Sequence, residues 1–397
     1  MSPARREGSH IVLPGLATAH SHAFQRALRG RTQRKSGSFW SWRGLMYRFA
    51  ERLEPDDVYA LSRFAYAELA RCGVTAVGEF HYVHHQPDGT PYDDRTELAD
   101  AVVRAALDVG LRIALLRVLY HRPGLGRQIE GAQRRFADAR LEDALRDVEA
   151  LRARWADEPR VRVGVAPHSV RAVPGPWIAE AARFADARAL PLHMHVSEQR
   201  REIHECLAEH GRRPVELLDE LGALGPRFVA VHATHLAPHE VRALGGSFVC
   251  LCRTTERDLG DGLPPTGPLV GAGARLCFGT DSHAVSDPFE EARAAELDER
   301  SRTERRATLE APALLRAASA DGYEAIGFGG ASDEDAVVLD ADDPALVGAD
   351  DAALDDAVIF GAGPAAVRAV RVGGVTLDPP PPEARDAFVR VLRRLTR

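Results

Sequence analysis

"LPGLATAHSHAFQRALRG", residues 13–30, sets His20 and His22 one residue apart where a short apolar run ends and a helix-like stretch begins. In an extended strand, residues i and i+2 point to the same face, so both imidazoles can aim at one point. Imidazole nitrogen is a common ligand for zinc and related divalent ions. Taken alone, the pair reads equally as two unrelated polar residues at a strand end. Its meaning depends on how the other apolar runs of the chain end.

They end in the same way. "GVTAVGEFHY" stops at Glu79, His81 and Tyr82, and "RIALLRVLYH" at Tyr120 and His121. "VRVGVAPHSVR" stops at His168 and Arg171, "LPLHMHVSE" at His193, His195 and Glu198, and "RFVAVHATH" at His232 and His235. "SFVCLCRTTE" stops at Thr254, Thr255 and Glu256, and "RLCFGTDSH" at Asp281, Ser282 and His283. Between these runs, residues 55–73, 96–110, 141–155, 176–189 and 213–224 carry apolar side chains at three- and four-residue spacing, the mark of amphipathic helices. Strands alternating with helices imply a parallel sheet buried on both faces. Eight such units predict an α/β fold of the (β/α)8 TIM-barrel type over residues 13–324, with the chemistry at the strands' C-terminal ends. A doubly wound sheet would also alternate, but no GxGxxG follows the first strand. From about residue 325 short strands and acidic turns lead to an amphipathic final helix, which predicts a small appended subdomain.

With 397 residues, 45% of them hydrophobic, the chain can bury a large core. A net charge of -7 argues against a nucleic-acid partner, which would call for a basic patch. No apolar run has the length of a signal segment or a membrane span. Cys72, Cys206, Cys250, Cys252 and Cys277 are odd in number and show no disulfide spacing, so a reducing, cytoplasmic setting is expected. Cys250 and Cys252 share a strand face, which suits either buried core thiols or metal ligands. A homodimer is the expected assembly.

Three neutral imidazoles and one carboxylate suit a catalytic zinc with an open position for water. His20 and His22, joined by His195 from the fifth strand and Asp281 from the eighth, supply that set. His193 shares a face with His195, and the residue nearer the strand end is preferred as ligand. Asp281 could also accept the proton of the attacking water, or could merely cap the next helix. His232 could hydrogen-bond the nucleophile. Glu198 could protonate a leaving nitrogen, or only favour the dipole of a charged helix start. His235 and His283 read as supporting or surface residues.

Together, "HSHAFQRALRG", "HMHVSEQ", "VHATH" and "GTDSH" resemble the amidohydrolase superfamily. Within it the chain is similar to the formimidoylglutamate deiminases, through "SFWSWRGLMYRFA" (38–50), "EFHYVHHQPDG" (79–89), "APHSVRAV" (166–173), "HVSEQRRE" (195–202) and "TTERDLGDGL" (254–263). The resemblance implies one divalent metal, zinc in the usual case, on His20, His22, His195 and Asp281. Members with two metals often bridge them with a carboxylated lysine on the fourth strand; Lys35 is the only lysine here and lies elsewhere. The resemblance further implies that Arg43, Tyr82, His168 and Arg171 hold the two carboxylates of a small dianionic substrate, N-formimino-L-glutamate, and that Gln25 contacts it near the metal. A guanidinium is a planar fork suited to carboxylates, so two of them fit a dianion. Otherwise Arg43 is a surface residue of a Trp-rich loop and Arg171 part of a helix-start salt bridge.

The activity implied is hydrolytic deimination to N-formyl-L-glutamate and ammonia in histidine degradation, with Glu198 and Asp281 moving protons and His232 assisting. A related deaminase acting on another amidine or a ring amine is the alternative; a metal-binding relative without turnover is another. Two departures stand out. Residues 1–12 and 325–397 are short for the small β-sandwich such proteins carry, so a truncated sandwich is expected. Arg253 in "CRTTE" replaces a frequent proline, which is expected to alter the loop after the seventh strand.

Overall fold

The eight apolar runs each supply one strand of a single parallel sheet, in a computed structural model that describes residues 3–33, 39–379 and 381–397. Lys35 lies outside the described residues. The strands are Leu16–Ser21, Val74–His81, Arg112–Leu119, Val161–Pro167, Leu192–Val196, Phe228–His232, Phe248–Leu251 and Arg275–Phe278. They lie in sequence order, and the last meets the first to bring the barrel nearly to closure. At that seam the Asp281 N–H donates to the His20 carbonyl (3.1 Å), and the His22 N–H donates to the Asp281 carbonyl (2.9 Å). The Thr280 N–H donates to Thr18 Oγ1 (2.8 Å) just below. Closure therefore fixes His20, His22 and Asp281 relative to one another through the backbone.

Packing explains the shape. Inside the barrel the first three strands contribute Ala17, Ala19, Ala76 and Ala114, and the later strands contribute Val229, Val231, Phe248, Cys250 and Cys277. Tyr323, Ile326 and Phe328 plug the end opposite the strand C-termini. Gly279, after the eighth strand, admits no side chain: a Cβ there would lie 2.7 Å from His20 Cβ and 2.9 Å from Cys252 Sγ. Outside, helix Pro55–Arg71 illustrates the helical layer. Proline opens it, the Asp57 carboxylate accepts the Glu54 N–H at 2.7 Å, and Val58, Leu61, Ala65 and Leu69 face the sheet. Each buried valine or leucine contributes about 1.5–3 kcal/mol.

Helices Glu97–Val109, Leu141–Arg154, Gly175–Ala187 and Pro214–Glu220 also fall where the periodicity placed them. Two local expectations are corrected. The apolar run from residue 11 onward is two strands. His10–Pro14 belongs to a second sheet, and the chain turns at Gly15, where a Cβ would sit 2.4 Å from Tyr323 Oη. The Trp-rich stretch is not a loop but helix Phe39–Ala50.

The second sheet is antiparallel, in the order Arg5–Glu7, His10–Pro14, Ala336–Asp340, Val367–Val372, Val375–Thr376. The short N-terminal segment thus supplies two of its strands. Buried Asp335 joins the two sheets, accepting from Arg112 Nε (2.9 Å) and from Tyr323 Oη (2.5 Å). The last helix, Pro382–Leu395, packs on Pro55–Arg71, with Phe388 stacked on Phe64 at 4.3 Å between ring centroids. No helix among the described residues is long and apolar enough to cross a membrane.

Candidate active site

His20, His22, His195 and Asp281 converge at the C-terminal mouth of the barrel. His20 Nε2 lies 3.2 Å from His195 Nε2 and 3.7 Å from Asp281 Oδ1, and His22 Nε2 lies 3.4 Å from the same Oδ1. Ligands tetrahedrally placed at zinc bond lengths would be about 3.3–3.4 Å apart, near these three separations; the donors of His20, His22 and Asp281 lie within 4.8 Å of one another, as do those of His20, His195 and His232. The ring orientations agree. His22 Nδ1 pairs with the Phe80 carbonyl (2.9 Å) and His195 Nδ1 with the His168 carbonyl (3.1 Å), which turns both Nε2 lone pairs toward the cluster. Burial, with neighbouring imidazoles second, holds His20 and His195 well below the ordinary histidine range; burial takes His22 down to about 3. All three rings are neutral near pH 7, as ligands must be. Burial also pushes Asp281 up to about 6, against the opposing pull of His232. The residues present fit a single divalent metal.

Choices left open by the sequence resolve geometrically. His193 points away from the cluster, its Nε2 2.9 Å from the Ala325 carbonyl. Asp281 does not cap a helix; Asp287 does, accepting the Phe289 (2.9 Å) and Glu290 (3.1 Å) N–H groups. His283 sits behind the cluster with Nε2 2.9 Å from Ser21 Oγ, and Ser21 donates to Glu79 (2.6 Å). Glu79 also accepts the Ala23 N–H (2.8 Å), so one buried carboxylate grips both sides of His22. His235 lies off the site, its N–H donating to the Ser197 carbonyl (3.0 Å).

Glu198, just beyond the fifth strand, and His232, at the end of the sixth, face the cluster. His232 Nε2 is 3.7 Å from Asp281 Oδ2 and 3.9 Å from Glu198 Oε1. Burial opposes a charge on His232, but Glu198, Glu256 and Asp281 together push its pKa up to about 10. Burial, then the carboxylates of Asp261, Asp281 and Glu202, holds Glu198 well above the usual carboxylate range. The two shifts are linked, since a negative Glu198 is the first of the groups that raise His232. The backbone is strained here: Ser197, His232, Ala233, Asp281 and His283 all have positive φ, at 51°, 70°, 51°, 45° and 55°. Such conformations cost about 1–3 kcal/mol each and gather where function requires them.

One pocket collects every other residue singled out for substrate. Gln25, Arg43, Tyr82, His168 and Arg171 line it together with His22, His195, Glu198, His232 and Asp281. Gln25 Nε2 donates to Tyr82 Oη (2.7 Å), while its buried Oε1 has no partner among the described residues. Arg43 rises from helix Phe39–Ala50 with its guanidinium 5.2 Å from the Tyr47 ring centre. Arg171 Nη1 donates to the Pro123 carbonyl (2.9 Å) and so is positioned by a loop, not by a helix-start ion pair. Sequence reasoning passed over Tyr47, Trp42 and Glu202, which also line the pocket. Glu202 accepts the Ser197 N–H (3.1 Å), and burial pushes it up to about 7. A second carboxylate in the first turn of the helix that follows Glu198 was the available signal.

This geometry has relatives. The sequence matches the amidohydrolase family over residues 11–376, and the chain belongs to that family. It is a hydrolase acting on C–N bonds. A formimidoylglutamate deiminase of Pseudomonas aeruginosa is 40% identical over an alignment of 383 positions that covers 91% of this chain and 83% of the relative. Among solved structures, an amidohydrolase from Brucella melitensis superposes with a TM-score of 0.89 at 32% identity, covering 99% of this chain and 96% of its own. An adenosine deaminase from Xanthomonas campestris with bound zinc gives 0.80 at 25% identity, covering 96% and 85%.

Proposed function

We propose that the protein hydrolyses N-formimino-L-glutamate to N-formyl-L-glutamate and ammonia, as a formimidoylglutamate deiminase of histidine degradation in the cytoplasm. The observation that carries this reading is that Arg43 and Arg171 line the same pocket as the three-histidine, one-aspartate cluster. Two guanidiniums suit the two carboxylates of a glutamate derivative. The Pseudomonas relative adds weight. We assign the chemistry to residues 13–324, with 1–12 and 325–397 as an accessory unit.

His20, His22, His195 and Asp281 would hold one divalent ion, zinc by preference. A bound zinc lowers the pKa of water toward about 7 and so supplies a nucleophile at neutral pH. The remaining work falls to side chains. Arg43 and Arg171 fix the carboxylates, with Tyr82 and His168 between them. Gln25 offers its unpartnered Oε1 to an N–H of the substrate. Asp281 takes the proton of the attacking water. His232 hydrogen-bonds and stabilises the oxygen added at the formimino carbon. Glu198 gives its proton to the formimino nitrogen as water adds; Asp281 then passes on the proton it took, the added hydroxyl returns one to Glu198 as the formyl C=O forms, and ammonia leaves.

The test is ammonia release by metal-loaded protein from N-formimino-L-glutamate, N-formiminoglycine and adenosine. Preference for the first supports the reading. Preference for adenosine would favour a ring-amine deaminase, and no release from any would favour a metal-binding relative without turnover.

A further inference from the structure

Where the seventh strand ends at Leu251, the chain turns through Cys252 into helix Arg253–Leu259. Arg253 is a fully buried arginine, 1% exposed, that opens the helix and ties it down. Its Nε and Nη2 donate to Asp298 Oδ2 (2.9 and 2.5 Å), on the outer helix Pro288–Thr303. Its Nη1 donates to Glu256 Oε2. Glu256 is itself buried, and its other oxygen accepts the Cys252 N–H (2.9 Å) and lies 3.3 Å from His232 Nδ1. An unbroken series of charged contacts, Asp298 to Arg253 to Glu256 to His232, therefore runs from the outer surface of the barrel to the pocket.

His232, Cys252 and Glu256 bring three donors within 4.8 Å of one another, a spacing that would also suit a cation. The Arg253 guanidinium already occupies Glu256 Oε2 and provides the countercharge. The arrangement therefore orients a side chain. A carboxylate gripped on one oxygen by a guanidinium has only the other to offer, and that one meets His232 Nδ1. Nδ1–H is then held by Glu256, and Nε2 faces the pocket.

We propose that Arg253 is a positioning residue for the reaction: by clamping Glu256 it locks the His232 ring with Nε2 toward the substrate. The inference rests on the reading of His232 as a reacting group. Truncating Arg253 leaves Glu256 buried with one anchor fewer, and the imidazole free to tilt. Loss of such an outer partner typically costs about 10- to 100-fold in activity.

The experiment compares zinc-loaded wild type, Arg253→Met and Arg253→Lys by steady-state ammonia release and by the downfield imidazole N–H proton resonance, assigned to His232 by its loss in His232→Asn. For Arg253→Met the expected result is kcat down about 10- to 100-fold, KM within about twofold, zinc content unchanged, and the resonance broadened or gone. Arg253→Lys, which keeps the charge, should lie between it and wild type. Unchanged kcat, an unchanged resonance, or a loss confined to KM would overturn the proposal. If Arg253→Met does not fold, Asp298→Asn loosens the same guanidinium from its outer end; kcat and resonance must then shift in the same direction, and no shift overturns the proposal. Inactive wild type would count against the deiminase reading instead, and the resonance would still test the clamp.

Discussion

Arg171→Ala is the sharpest probe of how the pocket selects its substrate. The guanidinium is placed by the Pro123 carbonyl and borders the same cavity as His22, His195 and Asp281. A charge-assisted hydrogen bond contributes about 1.5–3 kcal/mol, and truncating one partner of a desolvated charge pair costs about 2–5 kcal/mol. Taking about 3 kcal/mol, kcat/KM should fall roughly 150-fold at 25 °C. The carboxylate is bound equally in the ground state and the transition state, so most of the loss should appear in KM. Metal content should not change, because no ligand is touched. The assay is steady-state ammonia release beside metal analysis of the same preparation. A kcat/KM within about threefold of wild type, or zinc lost in step with activity, would refute the assignment and make Arg171 a structural residue.

Other expectations follow from the same geometry. Glu198→Gln should cut kcat about 10²- to 10⁴-fold with zinc retained, and should abolish the alkaline fall in rate that deprotonation of this raised acid produces in the wild type; a pH–rate profile for both proteins checks it. Glu291, buried beneath the Thr254 N–H (3.2 Å), is pushed up to about 8 by its burial. Its folded pKa exceeds the unfolded one of about 4.3, so its stability contribution is complete below that value and is lost as pH rises through 8. Glu291→Gln should therefore melt about 2–4 °C higher than wild type at pH 9 and show little advantage at pH 4, as calorimetry across that range would show.

The barrel was legible because its signal repeats. Each strand is a short apolar run, and each ends in residues that can bind or transfer a proton, so the pattern of ends carries information that no single HxH holds. The cluster was legible for a related reason: i, i+2 spacing at a strand end lets two side chains reach one point, as His20, in the first strand, and His22, just beyond it, do. Helix Phe39–Ala50 was not legible, since Gly44 and a run of aromatics weaken helical propensity, and part of its aromatic face lines a pocket. Gly15 hid a change of sheet inside one apolar run, because the need for it comes from Tyr323 and Asp335, more than 300 residues away. Glu256 and Arg253 were visible as residues, but their partners His232 and Asp298 come from other elements, and no local spacing announces such contacts.

The central claim is that one metal on His20, His22, His195 and Asp281 serves a pocket built for formiminoglutamate. Its most direct test is zinc titration of metal-free protein with N-formimino-L-glutamate as substrate, reading ammonia and the organic product together. The account predicts activity that rises to a plateau at about one zinc per chain, with N-formyl-L-glutamate and ammonia formed in equal amounts. Folded, zinc-loaded protein that releases no ammonia, or that yields glutamate and formamide in its place, would contradict it.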